Sequence, residues 1–355
     1  MKICFVLGTR PEIIKMAPLI RACENNKVNY FVIHTNQHYS ENMDKVFFEE
    51  LKLKPAKYNL SVGSGSHGKQ TGLMLERIET VLEKEPPDVV LVEGDTNTVL
   101  AGALAAAKLH IKVGHVEAGL RSYDRDMPEE INRIMTDHIS DYLFCPTDLE
   151  AKICYKEGIE KSKVFVTGNS VVDAVLQNIK LVNKQKVLTR FCLKEKEYVY
   201  LTMHRPSNVD TKEALSKQIK NLEKFSKESN LKIFFTIHPR TKGNLEKYGI
   251  KLSNNFIISE PIGYLDGLVL MQSAKVILTD SGGIQEEACT LGTPCLVLRE
   301  NTERPQAIDV GAAKLVGFDY NKLIKGYNFY NKKQKSWKNP FGDGKTGEKI
   351  IKSLL

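Results

Sequence analysis

The chain has 355 residues, of which 42% are hydrophobic and 26% charged, and its formal charge is +8 at neutral pH. This composition is typical of a folded globular protein and excludes a disordered or low-complexity chain. The length exceeds one ordinary hydrophobic core and predicts two domains. Lys and Arg are spread along the chain, and the densest run, at 331–338, is typical of a solvated surface. We therefore expect no nucleic-acid partner, although the positive charge suits a small anionic substrate.

The N-terminal segment has an apolar run that is too short for a signal peptide, because Arg10 and Glu12 interrupt it. No stretch of the sequence approaches the roughly 18 apolar residues of a membrane span. We expect a cytoplasmic protein with no membrane partner. The seven cysteines include no C-x-x-C pair and lie mostly inside apolar runs. This pattern predicts buried reduced thiols, with neither disulfides nor a metal site.

Short apolar, β-branched runs alternate with helix-like stretches through the first half of the chain. The runs lie at 2–8, 30–35, 88–94, 112–117, 142–146 and 163–168. Between them, segments such as 10–25 and 97–110 have apolar residues at a period near 3.6. Strands buried on both faces that alternate with helices predict a parallel sheet covered by helices on both sides.

The same pattern restarts in the second half. Strand-like runs lie at 198–204, 232–239, 256–261, 276–283 and 294–300. Helical stretches such as 211–228 separate them, and the boundary between the two patterns falls within 168–197. We expect an α/β protein of two Rossmann-like domains, 1–170 and 171–340. Open parallel sheets bind ligands at the carboxyl ends of their strands, so we expect the ligand in the cleft between the domains.

The segment GSGSHG (63–68) matches the G-x-G-x-x-G pattern of nucleotide-cofactor sites and nearly matches a P-loop. Its context supports neither. The preceding residues form a poor buried strand, and Gln70 stands where a P-loop has Ser or Thr. We expect no nucleotide cofactor there. A Gly/Ser loop before a helix, of the kind that moves over a ligand, is the preferred interpretation.

Two strand ends carry residues suited to an anion. In LGTRPEIIK, Arg10 and Lys15 flank the start of a helix, whose N–H groups favour negative charge. A charged turn without function is the alternative at this position.

The second anion-binding candidate is TDSGGIQEEA, where Ser281, Gly282 and Gly283 join a strand to a helix. The two glycines allow close approach to a ligand, and the N–H groups from Ser281 onward are predicted to point at a phosphate. Glu287 could accept hydrogen bonds from ribose hydroxyls, and Arg304 offers a second cation. A tight turn with a capping serine is the structural alternative.

The helix after DRDMP has a start that local rules explain. Asp126 is the expected N-cap, Pro128 fits the first turn, and Glu129 lies three residues after the cap. Glu129 and Arg133 are spaced for a surface ion pair. The helix is expected to have an apolar side formed by Ile131, Ile134, Met135, His138 and Ile139.

Local rules do not explain two other acidic residues, Asp95 and Glu117, each of which closes an apolar strand. Catalytic groups are commonly placed at such strand ends. His204 follows the strand at 198–204 and would face these carboxylates if the domains pair as expected. With Glu129, the carboxylates form a candidate set for proton transfer.

Taken together, these motifs resemble the non-hydrolysing UDP-N-acetylglucosamine 2-epimerases along nearly the whole chain. The matching segments include FVLGTRPEIIKMAPLI, VVLVEGDTNTVLAG, VGHVEAGLRSYDRDMPEEINR, VTGN, TMHRP, ILTDSGGIQEEACTLGTPCLVLRENTERP and NPFGDG. The resemblance implies the two-domain glycosyltransferase-B fold and a homodimer. It also implies a final helix, about 341–355, that crosses back to the N-terminal domain.

The reaction implied by the resemblance is reversible inversion at C2 of UDP-N-acetylglucosamine, giving UDP-N-acetylmannosamine. UDP is eliminated and returns through a 2-acetamidoglucal, which requires no redox cofactor, so we expect no cofactor and no metal. By position, the resemblance makes Asp95, Glu117 and Glu129 the acid/base candidates, with Arg133 and His204 as further functional residues. The residues implied to hold UDP are Arg10, Lys15, Ser281, Gly282, Gly283, Glu287 and Arg304.

Two positions depart from the family pattern. Gly267 replaces an aromatic residue that packs on uracil in many members, and QHYSENMDKVFF (37–48) replaces a motif of the allosterically regulated enzymes. How uracil is held, and whether a second substrate molecule activates, therefore stay open. The alternatives are an epimerase of a related UDP-HexNAc such as a diacetamido-uronic acid, a hydrolysing 2-epimerase, a glycosyltransferase of the same fold, and a nucleotide-sugar binding protein. The carboxylate set argues against the transferase, because transfer needs no base at C2.

Overall fold

The computed structural model describes residues 1–36, 47–332 and 336–355. The chain divides into two compact units, one formed by Met1–Ala174 with Phe341–Leu355 and the other by Val175–Pro340. The division falls within the helix Ser170–Asn178. Most of the departure at 37–48 lies outside the described residues, as does part of the basic run at 331–338.

The first unit contains a parallel sheet of seven strands in the order β3-β2-β1-β4-β5-β6-β7. The strands are β1 Lys2–Leu7, β2 Asn29–His34, β3 Tyr58–Asn59, β4 Val89–Glu93, β5 Lys112–Val116, β6 Tyr142–Cys145 and β7 Val164–Val166. The direction of strand order reverses between β1 and β4, which are neighbours. In open α/β sheets such a switch point leaves a crevice at the carboxyl ends of the strands.

Helices connect these strands. They are α1 Arg10–Asn25, α2 His67–Lys84, α3 Asn97–Lys108, α4 Pro128–Ile139, α5 Asp148–Lys156 and α6 Ser170–Asn178. The C-terminal helix, Thr346–Leu354, belongs to the same unit and packs against α1. The backbone N–H of its Gly347 donates to Asp173 Oδ1 at 2.9 Å. The end of the chain is thereby fixed to both α1 and α6.

The second unit contains a parallel sheet of six strands in the order β10-β9-β8-β11-β12-β13. The strands are β8 Tyr198–Thr202, β9 Lys232–Thr236, β10 Phe256–Ser259, β11 Val276–Thr279, β12 Cys295–Val297 and β13 Ala313–Leu315. Its helices are α7 Lys184–Arg190, α8 Pro206–Val209, α9 Lys212–Ser229, α10 Pro239–Tyr248, α11 Tyr264–Ser273, α12 Gly282–Leu291, α13 Pro305–Asp309 and α14 Tyr320–Lys332. Here the switch point lies between β8 and β11.

The predicted α/β architecture with parallel sheets is confirmed, and each predicted strand is present within a few residues of its expected bounds. Two short strands were missed, β3 and β13, which lie at sheet edges and have little apolar sequence. Six of the seven cysteines are buried, whereas Cys192 is exposed. Among the described helices, none has the length and apolar character needed to cross a bilayer.

The apolar side predicted for α4 is not its buried side, since Ile131 and Met135 are 43% and 45% exposed. The buried side is polar and consists of Glu130, Asn132, Thr136 and Asp137. Hydrogen bonds and ion pairs to the neighbouring loops, described below, hold this side inward. A regular apolar period therefore identified the helix correctly but not the side that packs on the sheet.

Close packing between the C-terminal helix and α1 can be tested at Gly347. A Cβ added there would lie 2.8 Å from the backbone carbonyl of Pro18. We expect Gly347→Ala to lower the free energy of unfolding by about 1–3 kcal/mol, because backbone must shift to admit the methyl group. The exposed helical Gly72 is the matched control, since a Cβ there meets no described atom within 4 Å. Gly72→Ala should stabilise by about 0.5–1 kcal/mol.

Guanidinium unfolding followed by circular dichroism measures both variants. An equal gain in stability at positions 347 and 72 would contradict the packing described for the C-terminal helix.

Candidate active site

Two buried carboxyl groups and a partly buried lysine meet at the carboxyl edge of the first sheet. Glu93 ends β4, and Glu117 follows β5, the neighbouring strand. Lys15, on α1, donates to Glu93 Oε1 at 2.8 Å and also to Glu117 Oε2. The Glu93 and Glu117 side chains are 1% and 6% exposed. Lys15 therefore pairs with two carboxyl groups, whereas the sequence had suggested a cation for UDP.

The backbone of Glu117 has a conformation that residues other than glycine rarely adopt. Its φ is +70°, in the left-handed region. Its N–H and that of Ala118 both point at the carbonyl of Phe144, at 3.1 and 3.2 Å. Gly119 follows with φ +82°, and a Cβ there would lie 2.6 Å from the carbonyl oxygen of Glu150. The glycine is thus required by close approach of α5, and the turn fixes the position of Glu117.

A buried carboxylate, Asp137 on α4, holds this turn in place. It accepts from the Gly119 N–H at 3.1 Å and pairs with Arg121 at 2.7 Å and with His115 at 2.6 Å. The other ring nitrogen of His115 lies 2.8 Å from the carbonyl oxygen of Gly94. Asp137 thereby links the loop after β4 to the loop after β5.

Asp95 lies next to this network and pairs with Arg133. The same guanidinium donates to Glu130 Oε2 at 2.8 Å. The expected ion pair of Arg133 with Glu129 is therefore replaced by pairs with Asp95 and Glu130, because Arg133 lies on the side of α4 that faces the loop after β4. Asn132 adds a hydrogen bond of 2.9 Å to the carbonyl of Asp95.

The start of α4 also differs from its prediction. Met127 is the N-cap, where Asp126 was expected. The Asp126 N–H instead donates to Asp124 Oδ1 at 3.1 Å, which places Asp126 inside a turn. The acidic residue that fastens the preceding loop is Glu130, whose carboxylate accepts from the N–H groups of Ser122 and Tyr123, both at 2.9 Å. Burial alone would raise the pKa of Glu130, but these hydrogen bonds and Arg133 keep it below its usual range.

Asp95 and Glu129 line one pocket of about 390 Å³ within the first unit. The glycine-serine loop before α2 contributes Ser64 and Gly65 to its wall, and His67 lies beside them. The structure thus brings two of the three predicted carboxylates to one pocket, while Glu117 pairs with Lys15. The pocket is also lined by Gln70, Thr96, Asn97, Pro128 and Asn132.

A second buried carboxylate, Asp280, organises the carboxyl edge of the sheet in the second unit. It accepts from the N–H groups of His204 and Arg205 at 2.9 and 2.8 Å, and from Asn208 Nδ2 at 2.8 Å. The imidazole of His204 lies near the same carboxylate, at 3.3 Å, and its ring contacts that of His238. Burial lowers the pKa of His204, although Asp280 opposes the shift. His204 is therefore neutral at physiological pH.

The helix after Asp280 begins at Gly282, with Ser281 as its N-cap. The Ser281 N–H donates to Thr279 Oγ1 at 3.0 Å, so the expectation that it points at a phosphate is wrong. The next N–H groups belong to the first helical turn and have no intrahelical partner. A Cβ on Gly283 would meet no described atom within 4 Å, so packing within the described chain does not require glycine there.

The remaining predicted binding residues of this unit lie close to that helix. Arg304 donates to Glu286 Oε1 at 2.5 Å, and Glu286 is 1% exposed. Glu287 is half-buried on the same helix. In the first unit, the guanidinium of Arg10 lies 4.8 Å from the ring centre of Phe47.

Ser281 and His204 also border a second pocket, of about 240 Å³, within the second unit. Its walls are Tyr200, Thr202, Met203, Thr236, Ile237, His238, Pro261, Ile262 and Ile284. Gly267 is buried in α11, where a Cβ would lie 3.9 Å from the Tyr200 hydroxyl and from Ile262. Gly267, at the position where many family members have an aromatic residue, thus lies next to two residues that line the pocket, Tyr200 and Ile262.

Sequence reasoning missed four acidic residues that build these edges: Glu93, Glu130, Asp137 and Asp280. Glu93 and Asp280 could have been found, because each is an acidic residue at the end of an apolar strand. Asp137 and Glu130 lie on the polar side of α4, for which the sequence predicted no role. Within the described residues, no group of three or more His, Cys, Asp or Glu side chains has an arrangement suited to a metal ion.

Comparison with known proteins gives a consistent result. The family model described as UDP-N-acetylglucosamine 2-epimerase matches residues 21–355. The chain is 55% identical to the UDP-N-acetylglucosamine 2-epimerase of Methanocaldococcus jannaschii, across 100% of this chain and 99% of that protein. It is 40% identical to a UDP-2,3-diacetamido-2,3-dideoxy-D-glucuronate 2-epimerase of Pseudomonas aeruginosa, across 92% of this chain and 91% of that protein.

The fold agrees with this relationship. A crystal structure of the M. jannaschii UDP-GlcNAc 2-epimerase, in complex with UDP-GlcNAc and UDP, superposes with a TM-score of 0.89. That comparison covers 100% of this chain and 99% of the crystallised chain, at 55% identity. Shared motifs, fold and full-length similarity lead to one conclusion: the chain belongs to the UDP-N-acetylglucosamine 2-epimerase family.

Proposed function

We propose that the protein catalyses the reversible inversion of UDP-N-acetylglucosamine at C2, giving UDP-N-acetylmannosamine. The observation that supports this best is the carboxyl edge of the first sheet. There, Asp95 and Glu129 share a pocket, and Glu117 is held nearby in a strained turn. Proton removal from one face of a sugar and return to the other require acid/base groups of this kind.

The chemistry explains why more than one carboxylate is needed. The hydrogen at C2 lies beside no carbonyl group, so direct deprotonation is not accessible. Elimination of UDP from C1, with loss of the C2 proton, gives a 2-acetamidoglucal. Return of a proton to the opposite face of C2, and of UDP to C1, completes the inversion. The substrate and product have the same oxidation state, so this route consumes no redox equivalent.

We assign proton transfer to Asp95, Glu117 and Glu129. Arg133 pairs with Asp95 and is assigned to holding that carboxylate in position. Lys15 pairs with Glu93 and Glu117, so we assign its charge to these carboxyl groups. Arg10, whose guanidinium lies over Phe47, stays the candidate cation of this unit for UDP.

We assign the departing UDP to the second unit. The N–H groups at Gly282 and Gly283 begin a helix, which favours a negative charge at its start. Ser281 and Arg304 add a hydroxyl and a cation. Glu287 lies about one turn further along the same helix, and we assign it to accept a hydrogen bond from a ribose hydroxyl. The neutral imidazole of His204 borders the pocket beside Ser281, where its ring nitrogens can donate or accept a hydrogen bond.

Isotope exchange tests the reaction. After incubation with UDP-N-acetylglucosamine in D₂O, we expect deuterium at C2 and a mixture with UDP-N-acetylmannosamine, both detected by NMR. Free N-acetylmannosamine without an epimerised nucleotide would instead indicate the hydrolysing reaction. Parallel incubation with a UDP-diacetamido-uronic acid measures kcat/KM for the class of substrate named for the P. aeruginosa relative. A higher kcat/KM on that compound would replace the proposed substrate.

The role of Glu117 can be separated from substrate binding. Glu117→Gln keeps the shape of the side chain but removes its proton-accepting carboxylate. We expect kcat to fall by about 10²-fold or more, because general acid/base groups contribute on that order. UDP affinity, measured by calorimetry, should change little. The control is Glu160→Gln, since Glu160 is an exposed carboxylate beyond α5. Full activity in Glu117→Gln would remove Glu117 from the mechanism.

The exposed apolar side of α4 supports the expected homodimer. Ile131 and Met135 are nearly half exposed there, which is unusual for large apolar side chains grouped on one helix. Light scattering should give twice the chain mass, and Met135→Glu should shift it toward one chain. A wild-type protein of single-chain mass would exclude the dimer. A cytoplasmic location stays a prediction.

A further inference from the structure

Glu93 has no role in the reaction as assigned above, yet it lies in direct contact with two groups that do. It is the last residue of β4, and its strand neighbour in β5 is Val116, the residue before Glu117. Both carboxyl groups therefore emerge at the same edge of the sheet. Lys15 reaches them from α1 and contacts an oxygen of each. Glu93 is the more deeply buried carboxyl, at 1% exposure.

The two carboxyl groups thus share a single cation, and Lys15 can balance only one negative charge. A second ionised carboxylate in this buried space would have no counter-charge among these contacts, which favours a proton on one of the two. Burial raises the pKa of Glu93 well above its usual range, Glu117 adds to the shift, and Lys15 opposes it. When two carboxyl groups share a site, the charge of one strongly raises the pKa of the other.

We infer that Glu93 and Glu117 hold one proton between them, beside the ammonium group of Lys15, and that Glu93 is a positioning residue that sets the charge and orientation of Glu117. With one proton, the cluster of Lys15, Glu93 and Glu117 has no net charge, which suits its burial. Loss of that proton places two anions in the same buried space. The titration then belongs to the pair rather than to either residue.

The inference about the proton stands on the contacts alone, whereas its effect on turnover rests on the proposed function. The turn fixes the backbone of Glu117, and Lys15 holds its carboxyl group beside that of Glu93. Ionisation of the pair should therefore be seen as a loss of activity at alkaline pH. An amide at position 93 cannot ionise, and its NH₂ group can donate to Glu117 as a protonated Glu93 does.

Infrared difference spectroscopy on the substrate-free protein tests the shared proton. Wild type minus Glu93→Gln, recorded at neutral pH, should show a protonated carboxyl band that disappears at alkaline pH. Wild type minus Glu117→Gln should show the same band, because the remaining Glu93 is then balanced by Lys15 and no longer needs a proton. Glu12, whose pKa burial raises to about 7, is common to all these proteins and cancels.

The control is Glu85→Gln. Glu85 is the residue directly after α2, ahead of β4, and hydrogen bonds from Lys2, Lys57 and Tyr58 lower its pKa to about 2. Its removal should give no protonated-carboxyl difference at neutral pH. A band that persists in Glu117→Gln would show a lone buried acid at Glu93 and overturn the shared proton. Absence of the band from wild type would also overturn it.

The pH profile of kcat/KM tests the positioning role. In Glu93→Gln the alkaline loss of activity should move up by about one pH unit or more, since the pair can no longer ionise. Glu93→Asp keeps a carboxyl group and should retain an alkaline limb. An unchanged alkaline limb in Glu93→Gln would overturn the role of Glu93. Absence of any C2 exchange in wild type would refute the proposed function, and the infrared result would still decide the shared proton.

Discussion

The burial of Asp137 is the constraint on which the first unit's candidate site depends. A carboxylate with no exposed surface must be matched by donors, and it takes them from His115, Arg121 and the Gly119 N–H. These donors come from β5 and the turn that follows it. The other ring nitrogen of His115 is hydrogen-bonded to the carbonyl of Gly94, which connects Asp137 to the loop after β4. The cost of burying one charge is thus offset by contacts that also fix the loops carrying Asp95 and Glu117.

The second unit reaches a similar result with Asp280. That carboxylate closes β11 and binds the backbone N–H groups that follow β8, its neighbour in the sheet. In both units the buried acid joins loops that follow neighbouring strands, and in the second unit these strands, β8 and β11, flank the switch point, where a parallel sheet leaves a crevice. Acidic residues near the carboxyl edges of the two sheets thus have two roles. Asp137 and Asp280 form contacts that hold the loops in place, while Asp95 and Glu129 line a pocket. Burial and hydrogen-bond partners distinguish the two groups, which residue type alone does not.

The sequence was sufficient for the architecture, because buried parallel strands are continuous apolar runs and the turns between them are short. It was insufficient for the polar side of α4. The apolar period of Ile131 and Met135 is a signal within the helix, whereas the inward position of Asp137 and Glu130 depends on donors in β5 and in the loop before α4. The same limit explains the wrong N-cap at Asp126 and the wrong partner for Arg133. Spacing rules assume that polar side chains of a helix pair with residues of the same helix. Here residues in the loops after β4 and β5 pair with them instead.

Lys15 shows how a site can be located correctly and its electrostatics still be misjudged. A lysine after a glycine turn and a helix start favours a bound anion, and the sequence contains no sign that Glu93 and Glu117 will reach it. With both carboxyl groups in contact, the cation stabilises acids of this chain first. One positive charge beside two buried carboxyl groups balances only one of them, and this imbalance is the basis of the shared proton inferred above. The turn with φ of +70° at Glu117 sets the backbone position from which one of these two carboxyl groups extends.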